Sequence, residues 1–140
     1  MHSFVLTFCL VSIAAPGVAQ TVVGKWLGQQ SSQEGVSCWL ADRKEDGRYR
    51  TDFVVRQGEK TVRHVEQGRW VSSHGMYATI IESINGDKVN LRDKYFREFY
   101  IIEKLTESEF SYRDIASGTR FVVRRMDAGY QLPNACPAAL

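Results

Sequence analysis

The sequence predicts an all-β fold, an antiparallel up-and-down barrel of about eight strands, on three observations. No segment after the N-terminal apolar stretch keeps its apolar residues at a helical period. Runs of β-favouring residues recur instead, each ended by a turn signal: Asp46-Gly47, Gln57-Gly58, His74-Gly75, Asn85-Gly86, Thr106-Glu107-Ser108 and Ser117-Gly118. Within the runs the residues alternate, as a side-chain period of two requires when one face of a strand meets a core and the other meets water. Spacings of this length suit hairpins rather than crossover helices. Closing eight such strands into a barrel removes exposed sheet edges; a two-sheet sandwich is the alternative architecture.

In chain order the runs fall at 22–30, 36–43, 48–56, 60–71, 76–84, 95–105, 109–115 and 119–126. The third alternates most cleanly, with Tyr49, Thr51, Phe53 and Val55 on one face and Arg48, Arg50, Asp52 and Val54 on the other. The fourth is long, and Gly68 is expected to bend or bulge it. In the fifth, Met76, Ala78 and Ile80 alternate with Tyr77, Thr79 and Ile81. Residues 87–94 are a short extra strand or a loop. The seventh alternates Phe110, Tyr112 and Asp114 with Ser111 and Arg113, and the eighth Phe121 and Val123 with Arg120, Val122 and Arg124. The barrel is thus expected over 20–126, followed by an irregular tail at 127–140.

Residues 1–19 are read as a cleaved secretory signal. Phe4 to Ala15 is nearly all apolar, Pro16-Gly17 breaks it, and small residues precede the expected cut after Ala19. The apolar stretch is shorter than the roughly 20 residues of a spanning helix. The expected location is therefore periplasmic or secreted, with no integral membrane segment in the mature chain. Cys9 falls in the signal, so Cys38 and Cys136 remain. In an oxidising compartment such a pair favours one disulfide, which ties the tail to an early strand across about 98 residues. Eighteen basic and 16 acidic residues give a net charge of +2, which argues against a nucleic-acid arm or a polybasic membrane patch.

Gly24-Lys25-Trp26-Leu27-Gly28 opens the first strand, and a G-x-W here followed by a meander of short strands resembles the lipocalin and calycin barrels. More narrowly, the chain is similar to small bacterial secreted lipocalin-like domains. G-K-W-L-G at 24–28, D-G at 46–47, G-R-W at 68–70, Y-I-I-E-K-L-T at 100–106, F-S-Y-R-D at 110–114 and S-G-T-R-F at 117–121 carry the likeness. The resemblance implies that Trp26 closes one end of the barrel and that an arginine of the last strand stacks on it. Arg124 or its neighbour Arg125 stands at that place, and Arg124 is taken as the barrel-closing residue. Haem-binding barrels with a similar start use a histidine near the C-terminal end, and this chain has none after His74.

The function expected is binding of a small apolar or amphipathic ligand inside the barrel, with a protein partner held by the loops as the alternative. The candidate wall residues are Tyr49, Phe53, Trp70, Tyr100 and Phe110. His64 shares parity with Glu66 and Trp70, which would set a polar pair beside an indole if that face points inward. In the run Tyr95 to Tyr100 aromatics occupy both faces, so Arg97 or Glu98 must lie near apolar neighbours; Arg97 inside could bind an acid group. The plain alternative for each of these residues is packed core or solvated surface. The loops at 31–35 and 85–94 are the places for a protein partner. No nucleophile elbow or oxyanion motif accompanies Ser72, Ser73, His74 or Asp93. Two isolated cysteines lack ligand spacing. Hence no enzymatic activity, no cofactor and no metal are expected.

Overall fold

The computed structural model describes residues 21–137; the expected signal, residues 1–19, lies outside them. Nine strands follow one another: β1 (Gly24–Ser32), β2 (Gly35–Arg43), β3 (Arg48–Gln57), β4 (Lys60–Ser73), β5 (Met76–Ile84), β6 (Asp87–Lys88), β7 (Arg97–Leu105), β8 (Glu109–Asp114) and β9 (Arg120–Met126). All pairings are antiparallel. The order β4-β3-β2-β1-β9-β8-β7-β5 is closed by a β4–β5 pairing, which makes an eight-stranded barrel, and β6 hangs on β5 as a two-residue extension. Residues 87–94 therefore hold a strand of two residues and a loop, and a single 3-10 turn, Lys94–Phe96, leads into β7.

Turn chemistry sets the registers. Ser73 pairs with Met76 and Ile84 with Asp87, so His74-Gly75 and Asn85-Gly86 are two-residue hairpin loops. All four turn residues have φ between 51° and 85°, as a loop that follows the strands' right-handed twist requires. Glycine meets that need without a Cβ penalty, and Asn or His tolerates it better than a β-branched residue.

The irregularity expected at Gly68 is found one strand away. β3 and β4 pair without interruption from Arg48↔Arg69 to Gln57↔Lys60. Against β5 the register passes from Gln67↔Ser83 to Gly68↔Ile81, so Glu82 of β5 is the extra residue. Gly68 lets the two backbones approach closely there, because a Cβ on it would run into the Ile80 carbonyl oxygen. The parity of β4 is thus preserved through Gly68.

One end of the barrel is packed shut. Trp26, fully buried, lies edge-on to Phe110 with ring centroids 5.7 Å apart, and its Nε1 donates to the Val22 carbonyl at 2.9 Å. Val22, Tyr77, Tyr100, Tyr112 and Val123 complete this cluster. The arginine stacked on Trp26 is Arg125, whose guanidinium carbon lies 4.2 Å from the ring centroid. It also donates to the carbonyls of Glu107, Val23 and Thr21. This corrects the assignment to Arg124: Val123 faces inward, Arg125 shares its parity, and Arg124 points to solvent.

A second apolar cluster lies on the outer face of β1–β3. Leu27, Cys38, Leu40 and Val54 point outward there and are covered by the tail, with Leu132 buried against them and Met126, Tyr130 and Cys136 around it. Cys38 and Cys136 form a disulfide, Cα atoms 5.6 Å apart. Polar contacts fasten the same segment: Lys25 Nζ donates to the Tyr130 carbonyl at 2.8 Å, Gln29 Nε2 to Pro137 at 2.9 Å, and Arg63 Nη1 to Asn134 Oδ1 at 3.0 Å.

Candidate functional site

The barrel interior holds a cavity of about 400 Å³, lined by residues of every barrel strand but β8's first half. Its position follows from strand parity. β2 turns Trp39, Ala41 and Arg43 inward, β3 Tyr49, Thr51, Phe53 and Val55, β4 His64 and Glu66, β5 Tyr77 and Thr79, and β7 Glu98 and Tyr100. Tyr112, Phe121, Gln30 and Ser37 complete the lining. The residues nearest the β1–β2, β3–β4 and β8–β9 turns, such as Gln30, Ser37, Val55 and Phe121, mark the mouth. Arg43 and Tyr77 belong to the deep end, above the Trp26–Phe110 floor.

Aromatic rings form much of the wall. Phe53 and His64 stack with centroids 4.4 Å apart and planes 13° from parallel. Tyr112 stacks on Phe121 at 5.4 Å, and Trp39 meets Phe121 edge-on at 6.0 Å. The Trp39 indole lies across Gly28, where any Cβ would enter the ring; the second glycine of G-K-W-L-G thus makes room for this wall.

Polar groups are frequent in the lining, and most of them are sheltered. Glu98 Oε2 accepts from the Thr79 hydroxyl at 2.8 Å. Burial, with Glu98 nearby, pushes the Glu66 carboxyl up to about 7. Burial lowers His64 below its ordinary value. The 3.7 Å approach of His64 Nε2 to Glu66 Oε1 is therefore not a charged pair at neutral pH, since both shifts favour the neutral forms. Burial likewise holds the phenols of Tyr49, Tyr77, Tyr100 and Tyr112 protonated, above their ordinary range. Arg43 is 4% exposed, its Nε donates to the Tyr77 hydroxyl at 2.7 Å, and its Nη1 has no hydrogen-bond partner.

Of the residues singled out in the sequence, Tyr49, Phe53, His64 and Tyr100 meet in this lining. Three do not. Trp70 keeps the inward parity of His64 but lies beyond the cavity at the closed end, where its Nε1 donates to the Lys44 carbonyl at 3.0 Å. Phe110 is fully buried in the floor. Arg97 points outward and donates to the Leu91 carbonyl at 2.8 Å, because β7 turns Glu98 and Tyr100 inward instead. Arg43 and Trp39 were missed, and Glu98 is the other member of the Arg97/Glu98 alternative. For Arg43 the signal existed only as parity with Trp39 and Ala41, and the apolar Cys38 and Leu40 on the other face of β2 concealed it. Among the described residues no group of three His, Cys, Asp or Glu could hold a metal ion, and no helix is long and apolar enough to cross a membrane.

Among solved structures, the chain is similar to a lipocalin-like protein from Bacteroides uniformis, with a TM-score of 0.52 and 16% identity over 75% of this chain and 98% of that one. The fold is lipocalin-like. No protein-family model and no curated protein matches the sequence.

Proposed function

We propose that this lipocalin-like barrel is an exported carrier or receptor for a small amphipathic molecule, held in the interior cavity without chemical conversion. The observation that carries this reading is the cavity itself: about 400 Å³, within the roughly 300–1,000 Å³ of small-molecule sites, with aromatic walls interspersed with polar groups, as suits an amphipathic ligand. Burial of apolar ligand surface supplies affinity at about 25 cal/mol per Å², and the deep polar groups supply orientation. The Cys38–Cys136 bridge supports work in an oxidising compartment.

Filling the cavity tests it. N-phenyl-1-naphthylamine, a neutral fluorescent probe, is expected to bind the wild-type protein saturably with one-to-one stoichiometry. Ala41→Phe places a ring where Ala41 lines the cavity and is expected to abolish that binding while the protein still melts cooperatively. Equal binding by a folded Ala41→Phe variant would sink the reading. A protein partner held by the loops is the second reading. It is favoured by Tyr95, 76% exposed in the connection before β7 and edge-on to Phe96. That function would survive Ala41→Phe.

A further inference from the structure

The most conspicuous unexplained group in the molecule is the Arg43 guanidinium. A buried charge is normally paired with an opposite charge, because desolvating it alone is costly. Arg43 is buried, and the ion pairs of the described residues do not include it. Its neighbours are neutral: the Tyr77 hydroxyl accepts from Nε, the Tyr112 phenol also faces the guanidinium, and the Tyr77 and Phe110 rings lie 4.9 and 5.6 Å from its carbon. Nη1 is left as a buried donor without a partner. An arginine is not relieved by losing its proton, since guanidinium stays charged in proteins. Yet the side chain forms part of the cavity lining, so a molecule in the cavity is the natural source of the missing acceptor.

The rest of the lining narrows what that acceptor belongs to. The packed rings of Phe53–His64, Tyr112–Phe121 and Trp39 give the cavity an aromatic wall against which a flat apolar body can lie. Glu98 faces the same space, so of two negative charges on a ligand head one is balanced by Arg43 and the other meets like charge. We propose that Arg43 anchors the single acid group of a planar aromatic ligand whose body lies against the rings of the cavity wall. This deepens the small-ligand reading above and rests on it.

Three probes that share one body separate the possibilities: 2-naphthoate, the neutral isostere 2-naphthamide, and the more highly charged 2-naphthyl phosphate. Calorimetric titration of the wild-type protein is expected to rank naphthoate above naphthamide by roughly tenfold or more, with naphthyl phosphate the weakest. In Arg43→Gln the acid-to-amide affinity ratio is expected to collapse to about one, whichever way the affinity for naphthamide itself moves. Arg43→Lys keeps the charge but not the fork, and is expected to retain part of the preference. The wild-type ranking is decisive even where a variant fails to fold. Naphthamide binding as tightly as naphthoate, or naphthyl phosphate binding tighter than either, would overturn the proposal. So would an acid preference that persists in a folded Arg43→Gln. If N-phenyl-1-naphthylamine binds and naphthoate does not, this inference falls and the small-ligand reading stands; if no probe binds, both fall.

Discussion

The outer faces of the two halves of the barrel are finished differently. On β1–β3 the outward residues Leu27, Cys38, Leu40 and Val54 are covered by the tail, and each is less than a tenth exposed. On β5, β7 and β9 the outward residues Met76, Ile80, Phe99, Ile101 and Val122 carry no such cover, and Phe99 is 53% exposed. Both faces mix apolar residues with charged ones, such as Arg50 and Asp52 on β3 and Arg120 and Arg124 on β9. A barrel needs only one side of each strand for its core, so what lies outside is decided by whatever chain is left over. Here the leftover is a short irregular tail, and it buries Leu27, Cys38, Leu40 and Val54 on the side of three strands that would otherwise face water.

The largest effect expected from testing this contrast comes from the bridge. Replacing Cys136 by Ser releases the tail and restores the entropy of a loop 98 residues long, at a cost of about 2–5 kcal/mol. Urea unfolding of oxidised wild type against the variant measures it, and overlapping curves would mean that the tail contributes nothing. Leu132→Ala removes the tail's buried anchor and should cost about 2 kcal/mol, the low end for a leucine truncation because the site is peripheral. On the cavity wall of β4, next to the covered strands, Glu66 adds a pH dependence. Its carboxyl is raised from an ordinary 4.5 to about 7, so its protonated form is favoured in the folded state. The associated stability is complete below the unfolded value and is lost as pH rises through 7. Glu66→Gln should therefore match wild type near pH 4.5 and exceed it near pH 8 by about 1–2 kcal/mol, discounted for the water that the carboxyl retains. Parallel stability–pH curves for the two proteins would refute the shift. The smallest effect belongs to the bare half: Phe99→Ser should change stability by no more than about 0.5 kcal/mol. A loss as large as that of Leu132→Ala would erase the distinction between the two faces.

The same contrast governs how much could be read from the sequence. Strand β3 was legible because its outer face carries Arg50 and Asp52, so polarity alternates with Tyr49, Thr51 and Phe53. The His74-Gly75 and Asn85-Gly86 hairpins were legible because turn geometry is local. β2 was not legible in this way: the tail buries Cys38 and Leu40 on one face while Trp39 and Ala41 line the cavity on the other, so apolar character marks neither side. Arg43, the inward charge at the end of that strand, went unseen for this reason. β7 is ambiguous for the opposite reason, since its outer face keeps Phe99 and Ile101 without cover. Composition alone leaves Arg97 and Glu98 as alternatives for the inward position, and parity with Tyr100 puts Glu98 there. The choice between Arg124 and Arg125 turned on which of two adjacent residues follows the parity of Val123, which depends on the pairing of β9 with β1 across the whole chain.

The bridge also determines how the molecule would carry a mechanical load. Tension applied between Thr21 and Pro137 passes along β1, enters β2 at Cys38 and leaves through the sulfur atoms at Cys136. It bypasses β3 to β9, which lie inside the covalent loop. A stretched, oxidised protein would peel β1 from β2 and β9 and then lengthen no further. The rest of the barrel would bear force only after the two sulfurs are reduced.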